Sequence, residues 1–386
     1  MQNGTNGVFQ NATIRQTVYL TQDASTIRLH FSNALSGSDL PITAVTVAFP
    51  LKGTAGSSAI RTETLKDVTF SGSRSFIVPN GALVVSDPIR LSVKAQTSLT
   101  ITAYLASGQS GFAITGHPGS RTTSWLAQGN LVSAADLNTT ATAATTQRTD
   151  HWYFLSTIQA YLPSRNTAVA IVGDSITDGR GSTTNGNDRW PDQLLTRLQS
   201  SQALKSTALL NLAAGGNRVL ADSLGPNALG RLERDVLAHG PTVRSALIYI
   251  GVNDLGTAAS TTAAQTAVAD RLIQAYSQMI TRLHNAGIAA WGATITPMTA
   301  VGQEYGTAER EAARQRVNKW IRESGRFDAV VDFDKAVRDK SNATILRAEY
   351  DSGDGLHLNP VGYKAMAAAV DLRLFDKFRD GVDVMV

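Results

Sequence analysis

Hydrophobic residues change their spacing once along this chain, near residue 164, and that change restricts the possible folds more than any other feature. Before it they recur at every second position. Ile27, Leu29 and Phe31 alternate with Arg28, His30 and Ser32, and the same beat returns in Ile89, Leu91 and Val93 and in Leu99, Ile101, Ala103 and Leu105. Such alternation predicts strands with one buried and one wet face. Clusters such as Ser71-Gly72-Ser73 and Pro79-Asn80-Gly81 punctuate the strands. Residues 1–163 are therefore expected to form a β-sandwich, jelly-roll-like, as an accessory domain.

From Ser164 onward the pattern is different. Ala168 to Val172 is a continuous apolar run, as a parallel strand buried on both faces requires. Strand-like runs at Ala208–Leu212, Ala246–Ile250, Ile288–Ile295 and Ala329–Phe333 then alternate with helical patterns. Pro191 suits the first turn of one helix, with Leu194, Leu195 and Leu198 along one side. A second helical stretch lies around Leu229–Leu237. A third carries Val268, Leu272, Tyr276, Met279 and Leu283 and ends at the Asn285–Gly287 turn, and a fourth holds Val317, Trp320 and Ile321. Alternating strand and helix predicts a three-layer α/β/α domain over 164–386, an open parallel sheet whose ligands sit beyond the carboxyl ends of its strands.

Composition removes several classes of function. The chain has 386 residues, of which 42% are hydrophobic, enough for two cores. No apolar run reaches about 18 residues, so no integral membrane segment is expected. The net charge is +4 without any Lys/Arg block, so no nucleic-acid partner is expected. With no cysteine there is no disulfide, thiolate nucleophile or zinc–thiolate site. No His-rich or carboxylate cluster stands at metal-ligand spacing, so neither metal nor cofactor is expected. The start Met1-Gln2-Asn3-Gly4 is polar, and sequons fall at Asn3, Asn11, Asn138 and Asn342. The expectation is a secreted, extracellular protein whose signal has been removed.

Polar residues follow immediately on apolar runs at three strand ends. In Gly173-Asp174-Ser175-Ile176-Thr177-Asp178-Gly179, a serine entering a helix would expose its hydroxyl and offer its N–H to an oxyanion. A plain helix-capping serine explains the same residues. Asn211-Leu212-Ala213-Ala214-Gly215-Gly216-Asn217 lets backbone amides approach a ligand, or is simply a tight turn. Asn253 in Gly251-Val252-Asn253-Asp254 supplies a neutral donor, or an ordinary Asn/Asp turn. A fourth segment, Asp354-Gly355-Leu356-His357, places a carboxylate three residues before an imidazole, so that Asp354 can hold Nδ1–H and leave Nε2 free. The remaining histidines, His30, His117, His151, His239 and His284, are expected to be structural. Asp174, Asp178 and Asp254 are expected to hold the loops.

Together, Ser175 in Gly-Asp-Ser, Gly216, Asn253 in Gly-x-Asn-Asp and His357 in Asp-x-x-His resemble the four blocks of the SGNH/GDSL hydrolase superfamily, in the same order and at similar spacing. The stretches Gly173–Ser182, Arg189-Trp190-Pro191-Asp192 and Thr294-Ile295-Thr296-Pro297-Met298 are similar to a microbial arylesterase/acylhydrolase-like branch with a β-rich domain ahead of the catalytic one. Ala213 stands where many relatives have glycine. No Gly-x-Ser-x-Gly elbow surrounds Ser175, because Thr177 takes the place of its second glycine, which argues against the α/β-hydrolase fold.

The resemblance implies a flavodoxin-like SGNH catalytic domain with Ser175, Asp354 and His357 as triad and Ser175, Gly216 and Asn253 as oxyanion hole. It implies a serine esterase; because the sequence has no amphipathic lid-like segment, its substrate is expected to carry short acyl groups on a small-molecule or polysaccharide ester, such as an acetylated carbohydrate. The alternatives are a lipid-directed acylhydrolase and a catalytically silent carbohydrate-binding protein. In the first half, Gly116-His117-Pro118-Gly119, Arg121 and Trp125 are expected to form a polar and aromatic loop region, either a plain surface loop or one that reaches the site.

Overall fold

The computed structural model describes residues 8–111, 113–140 and 146–384. They form two compact units. The first runs to Pro163 and takes in Thr184–Asn187; the second holds Ser164–Thr183 and the chain from Asp188 on. Among the described residues no helix is long and apolar enough to cross a membrane.

The first unit is built of antiparallel sheets. In the larger, the strands run in the order 146–149, 124–128, 12–19, 98–105, 44–48 and 66–68. In the other main sheet, Ala24–Ser32 pairs on one edge with Leu155–Ala160 and on the other, one after the next along its length, with Leu83–Val85 and Ile89–Val93, all antiparallel to it. Ile27, Leu29 and Phe31 of one sheet and Ile14, Leu99 and Ile101 of the other lie in one core. Ile89–Val93 shows strict in–out alternation.

Ser98–Leu105 departs from the expectation of one wet face, because Thr100 and Thr102 are buried as fully as Leu99 and Ile101. The cause is Arg15, itself buried on the neighbouring strand. Its guanidinium donates to Thr102 Oγ1 (3.0 Å), Ser58 O (2.6 Å) and Ala134 O (2.8 Å), drawing two loops over that face. The expected loop around His117 and Trp125 is also corrected. Gly116–Pro118 is a strand paired with His151–Tyr153, and Trp125 lies within Ser124–Gln128 and donates its indole N–H to Gly56 O at 2.8 Å. Backbone pairing absorbs residues that composition alone suggests for a loop. Of the sequons, Asn3 lies outside the described residues.

The second unit has a five-stranded parallel sheet. Thr207–Asn211 is at one edge, followed by Thr167–Gly173, Val243–Tyr249, Ala289–Ala293 and Ala329–Val331. In chain order within the unit this is 2-1-3-4-5, a flavodoxin-like arrangement. Right-handed crossovers that step one way from the first strand and the other way for the rest put their helices on opposite faces. Trp190–Gln199, packed on Pro360–Ala369, therefore covers one face; Thr262–Asn285, packed on Ala308–Glu323, covers the other.

Local chemistry sets the helix ends. Asp192 accepts the Arg189 backbone N–H at 3.2 Å to open Trp190–Gln199, and the Thr261 hydroxyl accepts from Ala264 N to open Thr262–Asn285. The latter buries Leu272, Tyr276, Met279 and Leu283 on one stripe and stops at Gly287, whose φ of +71° suits a helix end.

Candidate active site

The sheet ends its first and third strands on either side of the point where strand order reverses, the usual ligand crevice of such folds. Ser175 follows the first strand. Asp174 is extended (φ −115°), and its carboxyl accepts the Ile176 N–H at 3.0 Å while its carbonyl accepts from Thr177 and Asp178. Ser175 thus opens the short helix Ser175–Asp178 without spending its own N–H. The turn is tight enough that a Cβ on Gly173 would stand 2.6 Å from Thr177 Cβ. Gly179 ends the helix at φ +100°. Burial, aided by Asp254 and Asp178, lifts the Asp174 carboxyl from 3.8 to about 7.

His357 reaches Ser175 from a loop that folds on its own polar groups. Asp351 Oδ1 accepts the N–H groups of Gly353 (2.8 Å) and Gly355 (3.0 Å), and Ser352 N–H donates to His357 O. Asp354 then caps the turn, its Oδ1 accepting from Leu356 N (3.0 Å) and His357 N (2.8 Å). Its Oδ2 lies 2.7 Å from His357 Nδ1, and His357 Nε2 lies 2.7 Å from Ser175 Oγ. A carboxylate only accepts, so Nδ1 carries the proton and Nε2 is left to accept from the serine hydroxyl. Burial works to raise the Asp354 carboxyl, but hydrogen bonds from the His357 ring, the His357 N–H and the Leu356 N–H hold it far below the usual carboxylate range. The Arg180 guanidinium stands 3.9 Å from the same carboxylate and is largely exposed.

Gly216 and Asn253 sit after the neighbouring strands. Asn253 Nδ2 donates to Asn217 O at 3.0 Å, and Asp254 accepts the N–H groups of Val219 and Leu220, both at 2.9 Å. The Gly216 loop and the Asn253 helix are thus one piece. It joins the serine turn through Ala214 N to Gly173 O (3.2 Å) and Asn211 Nδ2 to Thr177 O (3.1 Å). Among the described residues nothing accepts the N–H of Ser175 or of Gly216. Leu224 lies against Gly216, where an added Cβ would meet its Cδ1 at 2.5 Å, yet is 65% exposed.

The other histidines have different neighbours. His284 pairs with Asp328 at 2.8 Å, His151 with Thr149 at 2.9 Å, and His117 lies beside Trp152. His239 is partly buried, which lowers its pKa.

Sequence reasoning did not single out Arg231, Gln303 or Tyr305. Arg231, buried on the helix Ala228–Asp235, donates to Leu212 O (2.6 Å), Asn217 Oδ1 (3.1 Å) and Gly173 O (3.3 Å), stitching two loops to the central strand. Its signal was a cation in phase with buried Ala228 and Leu232. Gln303 Nε2 donates to Asp354 O at 2.6 Å, and Tyr305 O–H to Asn253 Oδ1 at 3.1 Å. Both lie in an irregular segment without periodicity.

A family model described as the GDSL-like lipase/acylhydrolase family matches residues 171–365. No curated protein sequence matches the chain. Among solved structures, the chain is similar to a GDSL-like lipase from Bacteroides thetaiotaomicron, with 16% identity, a TM-score of 0.41, and coverage of 56% of this chain and 92% of that one. It is similar to a putative acylhydrolase from Bacteroides fragilis at 19% identity and a TM-score of 0.40, covering 55% and 88%. It is also similar to the acetylxylan esterase Axe2 from Geobacillus stearothermophilus at 18% identity and a TM-score of 0.40, covering 56% and 96%.

Proposed function

This chain belongs to the GDSL-like lipase/acylhydrolase family, and from that premise we propose that it is a serine esterase with Ser175 as nucleophile, His357 as general base and acid, and Asp354 as the group that orients the imidazole. The observation that carries the reading is the hydrogen-bonded line from Ser175 Oγ through His357 to Asp354, 2.7 Å at each step.

In this mechanism Ser175 Oγ attacks the ester carbonyl as Nε2 takes its proton. The oxyanion is held by the N–H groups of Ser175 and Gly216 and by the Asn253 amide. The tetrahedral intermediate collapses to an acyl-enzyme, expelling the alcohol, which receives the proton from His357. Water, deprotonated by the same imidazole, then releases the acid. Asp354, kept ionised by its hydrogen bonds, stabilises the imidazolium in both halves.

The substrate class is a short acyl ester, with an acetylated carbohydrate as the working case. A lipid-directed enzyme needs a contiguous apolar surface. The large exposed apolar side chains of the second unit, Leu224, Val301, Val330, Val361 and Val384, come from separate elements. A chain-length series of p-nitrophenyl esters, run beside Ser175→Ala and with acetylated xylan fragments, tests both levels. The expected result is preference for acetyl and a loss of ~10⁴-fold or more in the variant. Preference for long acyl chains overturns the substrate, and failure of an organophosphate to label Ser175 overturns the mechanism and favours a silent binding protein.

A further inference from the structure

The segment between the strand Ala289–Ala293 and the helix Ala308–Glu323 touches the acid loop at one end and the Asn253 amide at the other. Gln303 is the node. Its Nε2–H donates to Asp354 O at 2.6 Å, and its Oε1 accepts the Tyr305 N–H at 3.1 Å. The Tyr305 O–H continues the line to Asn253 Oδ1 at 3.1 Å, and Asn253 Nδ2 donates onward to Asn217 O. Three side chains, the Tyr305 backbone N–H and two carbonyls therefore link the acid–base loop to the residue beside Gly216.

Directions along this chain are fixed by chemistry. Asn217 O can only accept, so the NH₂ of Asn253 must face it, its Oδ1 must face Tyr305, and the phenol must be the donor. One N–H of Nδ2 then remains for a substrate. Burial, and after it Asp174 and Glu304, raise the Tyr305 hydroxyl above its ordinary range, so it stays protonated. Packing holds the ring as well: a Cβ on Gly256 would stand 2.3 Å from Tyr305 Cδ2, so the ring lies directly on that glycine. At the other end Ala300 sits where a Cβ on Gly355 would be, at 2.4 Å. Arg310 ties the segment down through Glu304 O (2.8 Å) and Ala258 O (2.9 Å).

We propose that Tyr305 and Gln303 are positioning residues for ester hydrolysis: Tyr305 orients and polarises the Asn253 amide toward the oxyanion, and Gln303 keeps that amide in register with the Asp354–His357 loop. A donor on Oδ1 strengthens the donation of the same amide's N–H, as in any cooperative chain. The inference rests on the reading of Asn253 as an oxyanion donor, and the test separates the two.

Tyr305→Phe keeps the ring on Gly256 and removes only the hydroxyl. The expected result is a fall in kcat of roughly 5- to 10-fold, with KM and thermal midpoint unchanged and organophosphate labelling of Ser175 slowed in parallel. In an Asn253→Ala background the same change should add less than about twofold, because Tyr305 acts through that amide. Gln303→Leu should lower kcat and combine with Tyr305→Phe less than additively. If Asn253→Ala itself leaves kcat intact, the oxyanion reading fails. If Asn253→Ala is impaired while Tyr305→Phe stays within twofold of the parent, or keeps its full effect without Asn253, the positioning role alone is overturned.

Discussion

Asn253 is held by a carbonyl on its nitrogen and a phenol on its oxygen, so in the proposed role as an oxyanion donor it would lose little binding energy to reorientation. Asn253→Ala should lower kcat about 10²–10³-fold, ~3–4 kcal/mol, as for one lost oxyanion donor. Steady-state kinetics on p-nitrophenyl acetate checks this, and an effect below tenfold removes Asn253 from the hole. Asp174 makes a different prediction. Protonated up to about 7 when folded but ionised above 3.8 otherwise, it binds an extra proton only in the folded chain. Its contribution to stability is complete below the unfolded value and disappears as pH rises through the folded one. Asp174→Asn, which can still accept from Ile176, should lose less stability than the parent between pH 4 and 8, measured by urea unfolding. Equal slopes would show that the carboxyl is ionised in the fold. The residues legible in the sequence at this scale were those whose chemistry is local: Ser175 at a strand end, and Asp354 three residues before His357. Arg231, Gln303 and Tyr305 act on backbone carbonyls and amides distant in sequence, and no spacing rule finds such partners.

Elements behave likewise. The continuous run Ala168–Val172 announces a central strand because both its faces are covered, and the structure gives Thr167–Gly173 between two neighbours. Leu99–Leu105 misled because alternation reports side-chain type, whereas burial depends on what lies above the sheet, and Arg15 brings in loops from around Ser58 and Ala134. The turn from strand to Ser175 is legible only as a glycine; its tightness is spatial. Gly173→Ala would force a methyl against Thr177, and should destabilise the protein by about 1–3 kcal/mol, as overpacking does. Thr177→Ala retains the offending Cβ and should not relieve the loss. A thermal melt of the single and double variants decides, and full rescue by Thr177→Ala would mean that the turn is looser than its geometry suggests.

At the scale of the whole molecule, each unit has a core of its own, and the residues proposed as triad and oxyanion donors, Ser175, Gly216, Asn253, Asp354 and His357, all belong to the second. Phe31→Ala, inside the first core, should cost that unit about 3–5 kcal/mol while leaving kcat on p-nitrophenyl acetate within about twofold below its melting transition. Calorimetry with parallel kinetics checks this, and a tenfold fall in kcat would show that the first unit shapes the catalytic machinery. The change of hydrophobic period near residue 164 was visible in the sequence. The return of Thr184–Asn187 to the first unit was not, since it depends on Asn185 N–H meeting Arg121 O at 2.9 Å and its side chain meeting Thr123. That detour bears on how such a protein can be recombined. A graft that exchanges the front module by a single splice at Pro163 would leave four residues of the hydrolase among foreign neighbours, so a working chimera must rewrite that short stretch together with the domain it replaces.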